Sequence, residues 1–162
     1  MSNFKSIALA TLVITMAAAL SGCNQVGSTV STDDGYYAEE RMSETEYQVF
    51  ISKKTSTILD KLAAHAATAT NISNGEYSAE SECDNVAVTI GTIEEAYEDI
   101  SKMGPAIDYE KSRENLLNQL DEAKTHLEEY KEFLESGEKI TSEAMSDFAA
   151  KFKNDFTVIK AF

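Results

Sequence analysis

The side chains that could do chemistry in this sequence are two histidines, two cysteines and 28 carboxylates. A buried di-metal site in a helical bundle needs a Glu-x-x-His pair on each of two helices, because both side chains then project into the interior together. The residues three positions before His65 and His126 are Leu62 and Ala123, so neither histidine completes such a pair. A lone histidine among exposed carboxylates is typical of a solvated helix surface, and the sequence therefore predicts no metal site.

The sequence offers no catalytic nucleophile either. Cys83 is predicted to lie in the apolar seam of a helix, where a small buried thiol is usually inert. The sequence contains neither Gly-x-Ser-x-Gly nor a phosphate-binding glycine loop, and Asp33-Asp34-Gly35 lacks the alternating ligands and the closing glutamate of an EF-hand. We therefore expect no catalytic residue and no cofactor, and we predict that the protein is not an enzyme.

Cys23 differs from Cys83 because it ends a segment that has the parts of a secretory signal. One basic residue, Lys5, precedes an apolar run over residues 7–20, and small residues follow that run. The run is shorter than the about 20 residues of a transmembrane helix, and no basic stop signal follows it. These features predict cleavage of the segment rather than a membrane-spanning anchor.

The four residues that end this segment carry a specific resemblance. Leu20-Ser21-Gly22-Cys23 resembles the lipobox of bacterial lipoproteins. The resemblance implies that the Cys23 thiol receives a diacylglyceryl group and that residues 1–22 are removed as a signal peptide. It also implies a lipid anchor in the cell membrane at its extracytoplasmic face, where two acyl chains hold a protein stably. The alternatives are an ordinary secretory signal with a chance cysteine, an uncleaved anchor and, in a Gram-negative cell, an outer-membrane location.

The chain that remains after cleavage is strongly acidic. It would carry 28 acidic and 13 basic residues, because Lys5 is the only charged residue removed, and its formal charge would be −15. Nucleic acid and anionic lipid surfaces would both be repelled by this charge. We therefore expect no nucleic-acid partner, and we expect the lipid to hold the protein at the membrane. With Cys23 acylated, Cys83 has no partner in the chain, so we expect no disulfide.

Residues 23–43 are predicted to be the lipidated cysteine followed by a flexible tether. The stretch is rich in Ser, Thr, Asp and Gly and has no sustained apolar period. A coil of about 20 residues has a root-mean-square reach of about 25 Å, enough to lift a small domain off the membrane. Docking of Tyr36-Tyr37 on the following domain is the alternative.

Residues 44–162 have the period of amphipathic helices and are predicted to form one helical bundle domain. The fold class is predicted to be all-α, an up-down-up-down four-helix bundle, with three helices plus a hairpin as the alternative. A strand over residues 86–90 is the alternative for part of the second segment. The expected helices cover residues 44–70, residues from Ser78 or later to Gly104-Pro105, residues 109–135, and residues from Thr141 or Ser142 onward.

Each predicted helix has one apolar face. The phenylalanines of the fourth helix are predicted to be core rather than the lining of a ligand groove, because aromatic stripes at helical spacing are usually buried. The predicted inner positions are Tyr47, Ile51, Ile58, Leu62, Ala66 and Ala69 in the first helix, Ala79, Cys83, Val86, Ile90, Ile93, Tyr97 and Ile100 in the second, Leu116, Leu120, Ala123, Leu127, Tyr130 and Leu134 in the third, and Met145, Phe148, Phe152, Phe156 and Ile159 in the fourth.

The part after the tether also resembles the small, helix-rich, acidic lipoproteins of Gram-positive bacteria. The resemblance is carried by the helix break at Gly104-Pro105, by the helical stretch 109–134 and by Glu135-Ser136-Gly137-Glu138. It implies no activity. We therefore predict a non-catalytic, lipid-anchored module that interacts with an envelope protein or a cell-wall component. The alternative is a small-ligand or metal binder that uses the bundle interior, and an enzyme comes third.

Overall fold

The structure, a computed structural model, describes residues 42–104 and 107–162. The predicted signal peptide and lipobox and nearly all of the predicted tether lie outside the described residues. Within the described part the fold is all-α, as predicted, and no strand forms there, so the alternatives with a strand or a hairpin are wrong. The helices are α1 (Glu44–Ser73), α2 (Ala79–Lys102), α3 (Glu110–Glu135) and α4 (Ser142–Lys160), with a short 3-10 turn at Ile107–Tyr109.

Polar side chains begin three of these helices. The Ser43 hydroxyl accepts a hydrogen bond from the Glu46 amide, and the Glu46 carboxylate accepts one from the Ser43 amide at 3.0 Å, which forms a capping box at α1. Ser78 and Thr141 cap α2 and α4, each accepting a hydrogen bond from the amide three residues later. The fourth helix is therefore capped by Thr141, the first of the two predicted candidates.

α1 runs three residues beyond its predicted end at residue 70. Ile72 is buried against the core, which favours the additional turn of helix. A Schellman motif then ends α1, in which the Glu76 amide donates to the Asn71 carbonyl at 2.9 Å and the Gly75 amide donates to the Ile72 carbonyl at 3.0 Å. Gly75 has a φ of +74°, and a residue with a side chain rarely adopts this conformation, so the helix stops there.

The four helices form two layers. α1 packs most extensively on α4, and α2 packs most extensively on α3, while smaller α1–α2 and α3–α4 interfaces join the layers. Successive helices are antiparallel, so the predicted up-down-up-down bundle is confirmed for the described residues. The largest fully buried apolar side chains are Tyr130, Phe152, Ile58, Leu62, Ile93, Ile100, Leu116, Leu120, Leu127, Met145 and Ile159.

The predicted inner face of α2 is partly wrong. Tyr97 is 40% exposed, and Cys83 and Ile90 are half-buried on the edge of the interface. The preceding residues are buried instead: Glu82, Thr89 and Ala96. Glu82 and Thr89 contact His65 of α1, and a pattern of apolar residues cannot predict such polar contacts. The buried positions of α2 are Glu82, Val86, Thr89, Ile93, Ala96 and Ile100.

The predicted inner face of α4 needs a similar correction. Phe152 is fully buried as predicted, but Phe148 and Phe156 are half-buried at the edges of the core. A lysine ammonium group lies 5.4 Å from the centroid of each of these two rings, so their outer faces contact cations. Asp155 and Ala149 take the buried positions beside Met145, Phe152 and Ile159.

Candidate functional site

The structure describes Cys83 but none of the predicted lipobox residues. Leu20, Ser21, Gly22 and Cys23 lie outside the described residues, so lipidation of Cys23 stays a prediction. Cys83 is a free thiol at the edge of α2. Its partial burial raises the pKa of the thiol, the Glu135 carboxylate adds to this effect, and Lys131 opposes it. A thiol with a raised pKa is mostly protonated at neutral pH and is a poor nucleophile.

The structure brings together a buried polar network that the sequence did not indicate. Glu82 Oε1 of α2 lies 2.7 Å from His65 Nδ1 of α1, and Thr89 Oγ1 of α2 lies 2.8 Å from His65 Nε2. The three residues are at most 5% exposed. Both ring nitrogens therefore have a partner, and the imidazole is held in one orientation between two helices.

The hydrogen bonds of this network can be made in two ways. The Thr89 hydroxyl lies 2.9 Å from the Asn85 carbonyl and 2.8 Å from His65 Nε2, and its one hydrogen can be donated to either of them. In both arrangements Glu82 and Thr89 are the partners of the two imidazole nitrogens, as burial of a polar ring requires.

Tyr130 of α3 lies beside this network. Its side chain is fully buried, and its hydroxyl has no hydrogen-bond partner among the residues that the structure describes. The ring contacts Phe148 and Phe152, with centroid separations of 5.0 and 5.2 Å. Burial, and then the charge of Glu82, raise the pKa of Tyr130 strongly, so the hydroxyl stays protonated. It is a donor without an acceptor, inside the core.

A second histidine–carboxylate pair joins α3 to α4. His126 Nδ1 lies 2.9 and 3.1 Å from the two carboxylate oxygens of Asp155, which is 1% exposed, whereas the His126 side chain is 18% exposed. Burial raises the pKa of Asp155, and the hydrogen bond to His126 opposes that effect. The pair therefore couples an interior carboxyl group to a histidine that reaches the surface.

Sequence reasoning missed both pairs, since it tested the two histidines for Glu-x-x-His spacing and assigned His126, with Glu122 and Glu129, to a solvated surface. One signal was present: Glu82 and Thr89 are seven residues apart, with Val86 between them, on the buried side of a helix. The described residues hold no cluster of three or more His, Cys, Asp or Glu side chains able to bind a metal ion. Each pair links two helices, and the Thr89 hydroxyl beside His65 is fully buried, out of reach of a substrate in solution.

The two layers of the bundle differ strongly in charge. α2 and α3 together carry fifteen acidic and five basic residues, a formal charge of −10. α1 and α4 together carry six residues of each sign, and their formal charge is zero. One broad face of the bundle is therefore acidic, and the opposite face is neutral.

The neutral face carries a groove between α1 and α4. An apolar part of about 440 Å³ continues into a more polar part of about 330 Å³, and Thr70 and Lys153 line both. The outer turns contribute small side chains, among them Ala63, Ala67 and Ala150, which let another chain approach the helix backbones. Lys153 makes no ion pair among the described residues. The groove is shallow and open, and it fits a surface contact better than an enclosed ligand.

No helix among the described residues is both long enough and apolar enough to cross a lipid bilayer. Comparison of the chain with models of protein families, with curated proteins and with solved structures found no match.

Proposed function

We propose that this chain is a lipid-anchored, extracytoplasmic and non-catalytic protein, whose helical bundle is an interaction module at the cell envelope. The sequence Leu20-Ser21-Gly22-Cys23 after an apolar run supports the anchor. The acidic excess supports anchoring by lipid rather than by attraction of the bundle to an anionic bilayer. The proposed partner is an envelope protein or a cell-wall component.

One observation carries the proposed interaction: the neutral α1–α4 face with its open groove, on a protein that is acidic elsewhere. Ala63 and Ala67 on α1 and Ala150 on α4 have little bulk, so a partner segment can lie close to both helices. An acidic partner is repelled less at this face than at the α2–α3 face, whose formal charge is −10. The groove is therefore the surface we expect the partner to cover.

Site-specific photo-crosslinking in native membranes tests the interaction. A benzophenone amino acid placed at Ala67, in the groove, should capture a recurring partner that mass spectrometry can identify. The matched control is the same amino acid at Ala87, an exposed alanine of α2 on the acidic face. Capture at both positions, or only bare protein at Ala67 despite efficient crosslinking elsewhere, would contradict the proposal.

The anchor has its own test. Incorporation of labelled palmitate and recovery in the membrane fraction should both be lost in Cys23→Ala and retained in Cys83→Ala, which removes the other cysteine. The partner captured at Ala67 should also be lost in Cys23→Ala, because tethering raises the effective concentration of the module near envelope partners. Label retained in Cys23→Ala would refute lipidation at this residue.

A small-ligand or metal-binding function of the bundle interior is the second candidate, and one observation favours it. The buried Tyr130 hydroxyl, close to Glu82, lacks a hydrogen-bond partner within residues 42–104 and 107–162, and a polar ligand would satisfy it. Elemental analysis and native mass spectrometry of the purified full chain test this candidate. A stoichiometric bound species whose removal lowers the melting temperature would replace the interaction proposal.

A further inference from the structure

The α1–α4 face is the surface through which two copies of this acidic chain can meet. Each copy has a formal charge of −14, so two copies repel each other as they approach. This repulsion is strongest at the α2–α3 layer, whose formal charge is −10, whereas the α1–α4 layer carries six charges of each sign. Contact through the α1–α4 layer therefore has the lowest electrostatic cost.

The exposed side of α4 is complementary in charge to itself. Ala150 lies at the centre of this side, and Asp147 and Lys153 lie three residues before it and three residues after it. If α4 packs against an antiparallel copy with Ala150 on the two-fold axis, Asp147 of each copy is level with Lys153 of the other. Neither side chain makes an ion pair within residues 42–104 and 107–162, so both charges are available for this contact.

The same register suits the other exposed positions of α4. It places Ser146 level with Asn154 of the copy and Glu143 level with Thr157, so like charges do not meet along this side. Ala150 at the centre is small, which lets the two helix backbones approach closely. In this arrangement α4 of each copy lies over the open α1–α4 groove of the other, and the contact is the same from both sides.

We propose that the partner of the α1–α4 groove is a second copy of this chain, and that two copies form an antiparallel, two-fold symmetric dimer through α4. Ala150 lies at its axis, and two ion pairs between Asp147 and Lys153 cross it. The inference rests on the proposed function, because it names the envelope protein that the groove binds. Lipid anchoring confines both copies to one membrane surface, which raises their effective concentration and favours dimerisation.

Disulfide crosslinking in native membranes tests the dimer. Ala150→Cys is introduced into the full chain with Cys83→Ala, so that Cys23 is the only other cysteine. Because residue 150 meets its own copy at the axis, oxidation with copper phenanthroline should convert most of the chain to a disulfide-linked dimer. Ala87→Cys in the same background, at an exposed alanine of the acidic face, is the matched control and should stay monomeric. A monomeric Ala150→Cys chain, or as much dimer in the control, would overturn the proposal.

Charge reversal tests the register of the two helices. Asp147→Lys or Lys153→Asp, each added to Ala150→Cys, should slow dimer formation about tenfold, because two attractive pairs become repulsive. The double variant Asp147→Lys/Lys153→Asp should restore the rate, since the same pairs form with their charges exchanged. Asp147→Lys also makes the chain less acidic, so faster dimer formation in this variant would show that net charge governs association and would overturn the register. A double variant as slow as the single variants would overturn it too.

Photo-crosslinking at Ala67 separates failure of the dimer from failure of the proposed function. Capture of the chain's own copy at Ala67, together with the disulfide at residue 150, would support both. Capture of a different protein at Ala67 with a monomeric Ala150→Cys chain would overturn the dimer and leave the groove as an interaction site. Bare protein at Ala67 with a monomeric Ala150→Cys chain would overturn both.

Discussion

Replacing Tyr130 by phenylalanine should stabilise this protein. The Tyr130 hydroxyl is fully buried and has no hydrogen-bond partner among the described residues, so folding removes it from water without compensation. Tyr130→Phe deletes only this hydroxyl and keeps the ring, which contacts Phe148 and Phe152. Since most core substitutions destabilise, a gain at a central aromatic position is a demanding test.

The size of the gain follows from two opposing effects. An unpaired buried hydroxyl costs about 1–3 kcal/mol, and its removal recovers that free energy. The space left by one oxygen atom is about 10 Å³, which costs about 0.2 kcal/mol at the usual cavity penalty. The net gain is about 1–3 kcal/mol, and at about 4 °C per kcal/mol it corresponds to a rise in melting temperature of about 4–12 °C.

Urea and thermal unfolding of the chain without residues 1–41, which keeps every described residue, provide the assay. Circular dichroism at 222 nm reports the loss of helix. Tyr109→Phe is the matched control, because the Tyr109 hydroxyl donates to the Glu44 carboxylate at 2.5 Å and accepts a hydrogen bond from Gln48 at 3.2 Å. The two variants remove the same atom, and they should change stability in opposite directions.

A loss of stability in Tyr130→Phe would refute this reasoning. Such a loss would mean that the hydroxyl has a partner in solution, which replaces the desolvation cost by a favourable bond. The partner would be a neighbouring side chain such as Glu82 or a bound molecule, and native mass spectrometry would distinguish the two. Unchanged stability in Tyr109→Phe would in turn show that its exposed hydrogen bonds contribute nothing measurable.

Three further predictions concern charge and backbone. Because burial raises the pKa of Asp155 in the folded chain, its contribution to stability is complete below about pH 3.9 and is lost as the pH rises through the raised value. In urea unfolding at pH 3.5 and 7, the wild type should therefore lose stability relative to Asp155→Asn as the pH rises. Asp147→Asn, at an exposed position of α4, is the control that should show no such trend. A wild type that gains stability relative to Asp155→Asn would contradict the prediction. Gly91→Ala should stabilise by about 0.5–1 kcal/mol, because Gly91 lies inside α2 with open space at its Cβ position. Gly137→Ala should destabilise by about 1 kcal/mol, because Gly137 has a φ of +72°, and equal melting temperatures for the two variants would rule this out.

The helices could be read from the sequence because the information is local. Leu116, Leu120 and Leu127 recur at the helical period, and all three are buried on the inner face of α3. The capping side chain of Thr141 and the break at Gly75 likewise depend on residues within a few positions. Such patterns predict where a helix begins, where it ends and which side is apolar.

The buried polar positions could not be predicted in this way. Glu82 is an ordinary surface residue by type, and it is buried because His65, seventeen residues earlier, reaches it from a neighbouring helix. Asp155 is buried for the same reason, since His126 arrives from α3. Because burial of a carboxylate is favourable only when a partner is present, its position in the fold depends on a contact between helices.

The sequence by itself determined four helices, their breaks, an acidic chain and a lipobox-like segment ending at Cys23. The tertiary structure alone decided which helices are neighbours. Pairing α1 with α4 and α2 with α3 gathers a formal charge of −10 on one face and leaves a neutral groove on the other. The physical reason is that helical period and capping act within a few residues, whereas packing joins side chains that are distant along the chain.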